Sequence, residues 1–93
     1  MPALMRAAKL QKRAAKHGRP VTAEPDGVAE SAKRLSQSRD AAEAERAAGE
    51  LLFTAAALAR QAGVDPEQAL QRWNEAFLEG AARESLPAGG TFR

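Results

Sequence analysis

An all-α fold, with four helices in a bundle-like arrangement, follows from three observations. Alanine accounts for 23 of the 93 residues, and alanine has the highest intrinsic helix propensity. Apolar residues recur at spacings of three and four, the period of one helical face. Isoleucine and tyrosine are absent and tryptophan occurs once, so the residues that favour strands are scarce and no strand is expected. A chain of this length fits one domain. The sequence places it at 1–87, with a flexible tail at 88–93 that opens Ala88-Gly89-Gly90.

The first helix is predicted from Pro2, acceptable at a first helical position, to Gly18, with Pro20 beyond it. Ala3, Ala7, Leu10 and Ala14 form its apolar stripe, widened by Leu4 and Ala8, and Arg6, Lys9, Lys12, Arg13 and Lys16 fill much of the rest. The stretch from Gly18 to Gly27 reads as a loop with a turn at Pro25-Asp26-Gly27. A second helix is predicted from Val28 to about Ser38, with Val28, Ala32 and Leu35 on its apolar face.

Asp40 followed by Glu43 resembles a capping box and starts the third helix, which Gly63 ends. Along it Ala44, Ala48, Leu51, Ala55, Leu58 and Ala62 make a continuous seam that a second helix could approach closely. Asp65-Pro66-Glu67-Gln68 supplies an N-cap, a first-turn proline and a third-position glutamine for the fourth helix. Leu70, Trp73, Phe77 and Leu78 are its expected buried face, and its short link makes it the antiparallel neighbour of the third. Because so many apolar side chains carry a single methyl, one copy has a thin core. A homodimer is therefore expected, with Trp73 and Phe77 joining the seam.

Without cysteine there is no disulfide framework and no thiolate metal site. The longest strongly apolar run, Leu51 to Ala59, is about half of the roughly 20 residues a spanning helix needs. No short cationic region followed by an apolar one opens the chain. No membrane partner and a cytoplasmic location are expected. The net charge of +2 divides unevenly, with +6 in residues 1–39 and −4 in residues 40–93, which lets two halves or two subunits attract each other.

Three segments, in order, carry a resemblance: Pro2 through Ala15 (PALMRAAKLQKRAA), Gly49-Glu-Leu-Leu-Phe53 with Leu58-Ala-Arg60, and Gly63 through Leu70 (GVDPEQAL) with Asn74 and Phe77. Together they cover about half the chain and resemble the MazG family of nucleoside triphosphate pyrophosphohydrolases, in particular its C-terminal catalytic domain. The resemblance implies an all-α NTP pyrophosphohydrolase fold that dimerises through its helices. It also implies hydrolysis of a nucleoside triphosphate to the monophosphate and pyrophosphate with carboxylate-held Mg²⁺, a metal suited to octahedral oxygen ligands and phosphate chemistry. The family draws its acids from a Glu-Glu-x-x-Glu pattern on the second helix and a Glu-x-x-Asp pattern on the third.

The sequence departs from that pattern where the metal would sit. The acidic stretch of the second helix falls within Lys33-Arg-Leu-Ser-Gln-Ser38, and the nearest acid upstream is Glu30. The third-helix pattern lands on Ala47 and Glu50, the expected asparagine is Ala57, and the lysine expected after Asn74 is Ala76. The basic residues after Phe77 are replaced by Glu79 and Gly80. Glu43 and Glu50 are separated by about 10 Å along a helix, too far to share one Mg²⁺, and Arg46 is placed to pair with Glu50.

No cofactor is therefore expected, and Mg²⁺ only if activity persists, with Glu50 as ligand and Glu30 or Glu43 recruited. Lys9, Lys12 and Asn74 are the residues left to contact a nucleoside triphosphate. His17 reads as a helix-end cap, and the basic first helix as a solvated face without aromatic residues for base stacking, so nucleic acid is not an expected partner. The leading expectation is a non-catalytic dimerising, regulatory or nucleotide-binding module. A weakly active Mg²⁺-dependent pyrophosphohydrolase and a nucleic-acid accessory protein using the first helix are the alternatives.

Overall fold

The computed structural model describes residues 1–84, in the order α1 (Ala3–Lys16), α2 (Pro25–Ser36), α3 (Ala41–Gln61) and α4 (Pro66–Glu84). Among the described residues there is no strand, and the expected tail at 88–93 lies outside them. The chain is all-helical.

The ends of the helices follow the local chemistry. The Asp40 carboxylate accepts from the Glu43 amide at 2.8 Å. Glu43 does not return the bond to Asp40 but reaches one residue further, accepting from the Arg39 amide and from its guanidinium, both at 2.9 Å. Asp65 caps α4 by accepting from the amides of Glu67 and Gln68 at 2.9 and 3.2 Å. Gly18 and Gly63 take φ of 78° and 80°, conformations that only glycine adopts without strain. Each closes its helix with paired backbone bonds, Arg19 to Ala14 and Gly18 to Ala15, then Val64 to Ala59 and Gly63 to Arg60.

Helix α2 starts three residues before the sequence expectation. Pro25-Asp26-Gly27 is its first turn, not a loop turn, with Glu24 at the N-cap and the Val28 amide bonded to the Glu24 carbonyl at 3.0 Å. Proline at the first helical position has its φ preset and lacks an amide that would go unpaired there, and Asp26 meets the positive end of the helix dipole.

Helix α3 is the hub. It packs against α1, α2 and α4, most extensively against α2, and α4 also touches α1. Its deepest residues are Ala47, Ala56 and Ala57. The expected seam is offset from them: Ala44, Ala48, Leu51 and Leu58 are half-buried, and Ala55 and Ala62 are exposed. A single seam suits a helix with one neighbour, whereas a helix packed by three spreads its burial around the axis.

On α1 the expected stripe is rotated. Leu10 is exposed and Gln11 is fully buried, with Leu4, Ala7, Ala8 and Ala14 half-buried around it. The Gln11 amide donates to the Phe53 carbonyl at 3.0 Å and accepts from Arg60 Nη1 at 3.4 Å. Both ends of the amide are satisfied, which is what makes its burial tolerable. A second glutamine ties the α1–α2 connection to α3: Gln61 accepts from the Ala23 amide at 2.6 Å and donates to the Ala23 carbonyl at 2.9 Å.

The expected buried face of α4 is not buried within one chain. Leu70, Trp73, Phe77 and Leu78 are 45, 70, 44 and 60% exposed, because the small side chains of the hub leave no deep surface to receive them. The molecule is correspondingly extended, 49 × 32 × 25 Å with a radius of gyration of 15.6 Å, against about 12 Å for a compact chain of this size. The Gln11 pin yields a stability prediction. Gln11→Met keeps the volume but removes both polar contacts, and should lower the unfolding free energy by about 1–2 kcal/mol in urea titration.

Candidate functional site

The positions where the resemblance puts metal ligands lie at the contact of α2 with α3, so the site is built there. Ser31 and Arg34 stand one turn apart on α2, and Glu50 and Thr54 one turn apart on α3. Arg34 Nη2 donates to Glu50 Oε1 at 3.0 Å and to the buried Ser31 hydroxyl at 3.2 Å. Thr54 turns its hydroxyl back onto its own helix, donating to the Glu50 carbonyl at 2.9 Å. Glu50 thus pairs across to α2, not with Arg46 on its own helix. The guanidinium of Arg34 reaches from the neighbouring helix, which the spacing along α3 alone could not reveal. Both partners are about half exposed, so the pair contributes at most about 1 kcal/mol.

An open hollow of about 600 Å³ is lined by Arg34, Arg39, Arg46, Asp40, Glu43 and Glu50, its charges balanced in sign. Glu43 is held by Arg39, whose backbone amide and guanidinium both favour the ionised carboxylate and lower its pKa. Glu30 lines a second groove of about 330 Å³ with Ser31, Arg34, Glu50 and Thr54.

These residues do not fit Mg²⁺. The one carboxylate at a ligand position, Glu50, already has a cation at 3.0 Å. No three acids or histidines gather as a possible metal-ion set among the described residues. Ala47 and Ala57, in the places of an expected acid and an expected asparagine, are 7 and 1% exposed. Ala57 is packing surface, whereas Ala47 lines the hollow between Arg34, Arg39 and Arg46.

The other anticipated residues are dispersed. Lys9 and Lys12 line a shallow hollow on the outside of α1 with Arg13 and Lys16. Asn74 lines another on α4 with Gln68, Gln71, Arg72 and Glu75. Neither hollow includes Glu50, so the expected phosphate contacts and this carboxylate do not share a site. His17 stands at the C-cap of α1, as its place beside Gly18 suggests. Compared with known protein families and with curated proteins, the chain matches none. No helix among the described residues is long and apolar enough to cross a membrane.

Two predictions follow from this geometry. Since the folded-state pKa of Glu43 is depressed, its stabilising contribution is present at neutral pH and is lost as pH falls from the ordinary glutamate range through the lowered value. Glu43→Gln should flatten that acid limb in denaturation midpoints measured from neutral to strongly acidic pH. Millimolar Mg²⁺ should leave the melting temperature unchanged, whereas a rise that vanishes in Glu50→Gln would restore the metal site.

Proposed function

We propose that this chain is a self-associating helical module, related to the MazG pyrophosphohydrolases but without their hydrolytic activity, and that its working surface is the exposed stripe of α4. The observation that carries the reading is Trp73, 70% exposed one turn from Leu70 at 45%, with Leu78 at 60% on the other flank of the same apolar arc. Aromatic and aliphatic side chains grouped on one helix face favour burial at an interface, since soluble monomers rarely expose contiguous apolar patches of this kind.

The occupant of that stripe is a second copy. The opposite charges of residues 1–39 and 40–93 draw two copies together. A core whose buried apolar residues are alanines gains most from doubling. The lost hydrolysis rests on the chemistry of the α2–α3 contact, where Arg34 supplies the positive charge that Mg²⁺ would otherwise bring to Glu50.

Light scattering coupled to gel filtration tests the assembly. The chain should elute as a dimer at micromolar concentration, and Trp73→Glu with Leu78→Glu should yield folded monomers by circular dichroism. A monomeric parent chain would overturn the reading. Incubation with Mg²⁺ and a panel of nucleoside triphosphates should release no pyrophosphate. Release abolished by Glu50→Gln would establish the enzyme instead.

A further inference from the structure

The outer face of α1 presents a second surface that self-association through α4 does not use. Arg6, Lys9, Lys12, Arg13 and Lys16 are all exposed, and the helix carries no acid. No carboxylate lies within ion-pair distance of any of them among the described residues. Four of the five, Arg6, Lys9, Arg13 and Lys16, recur at spacings of three, four and three, so they run along one line of the helix. Their orientation is fixed from the opposite side. The fully buried Gln11, held on the Phe53 carbonyl and Arg60, keeps that flank of α1 against α3 and turns the cations to solvent.

We infer that this ridge binds duplex nucleic acid through its phosphate backbone, without reading base sequence. From Arg6 to Lys16 the ridge covers about 15 Å at 1.5 Å rise per residue, long enough for its cations to reach several backbone phosphates of a duplex, whose charge is dense along its length. The helix has no aromatic residue on which an unpaired base could stack, which favours a duplex over a single strand. It also has no asparagine, and its one glutamine is buried. The side chains that pair with adenine edges are thus missing from the exposed face; Arg and Lys also pair with guanine edges, but here the whole ridge is assigned to phosphate, where contacts position without specifying. A membrane surface suits the ridge less well. The exposed Met5 and Leu10 flank the cations on either side, whereas an interfacial helix needs one continuous apolar face to bury.

The surface is independent of α4, so the two proposals fail separately. Fluorescence anisotropy of a labelled mixed-sequence duplex of about 20 base pairs provides the test, with the full chain titrated at low and moderate salt. With four cations engaged, log affinity should fall with log salt at a slope of about −3 to −4, or about 100-fold in affinity for a fourfold rise in salt. Lys9→Glu with Arg13→Glu should abolish binding while circular dichroism and oligomeric state stay unchanged, and Lys9→Arg with Arg13→Lys should retain it. Absence of binding at low salt would overturn the inference, as would equal affinity in the charge-reversed variant. Tighter binding to the single strand would overturn the duplex assignment. Co-sedimentation with anionic vesicles in place of duplex binding would assign the ridge to a lipid surface instead.

Discussion

The close approach of helices to α3 is the constraint on which the rest of this chain depends, and it is made by side chains of one methyl group. Ala47, Ala56 and Ala57 are nearly closed off from solvent, and they let neighbouring backbones come near enough for polar side chains to reach across. Gln11 reaches the backbone of α3 from α1, Gln61 reaches back from α3 to the connection before α2, and Arg34 reaches Glu50 from α2. Small residues trade apolar area for proximity. The hydrophobic return per buried alanine is low, at roughly 25 cal/mol per Å² of area removed from water, so hydrogen bonds of about 1 kcal/mol each become a larger part of what fixes the arrangement.

The same constraint explains why the larger apolar residues sit outside. A hub lined with alanine offers no deep pocket for an indole, so Trp73 remains on the surface of the single chain together with Leu70 and Leu78. Large side chains on one face and small ones on another are complementary only between different elements. Within one copy that complementarity is unmet along α4, which is why the self-association proposal places the function at this face.

Helix number and most helix ends were legible in the sequence because they are set by local chemistry: Asp40 and Asp65 as caps, Gly18 and Gly63 as terminators with positive φ. The start of α2 was not, because Pro25-Asp26-Gly27 satisfies both a turn and a first helical turn, and only the neighbouring elements choose between them. The buried Gln11 was hidden for a different reason. Residue-type patterning assigns glutamine to solvent, yet its position, four after Ala7 and three before Ala14, was already on the helical period. Period, not polarity, held the signal. Arg34 was visible as a cation in the place of an acid, but its reach to Glu50 depends on how two helices lie together, which no single-helix spacing contains.

The pairing of Arg34 with Glu50 at the α2–α3 contact also has an energetic logic. Removing acids from around a carboxylate site eliminates the mutual repulsion that a divalent ion would otherwise have to offset. A single guanidinium balances Glu50, and its position is fixed by a second bond to Ser31 within its own helix. A pair so balanced links its two helices through side-chain charge alone. Placing an acid at position 57 instead would put a charge where only 1% of the residue meets water, at a desolvation cost of several kcal/mol unless a cation arrived with it.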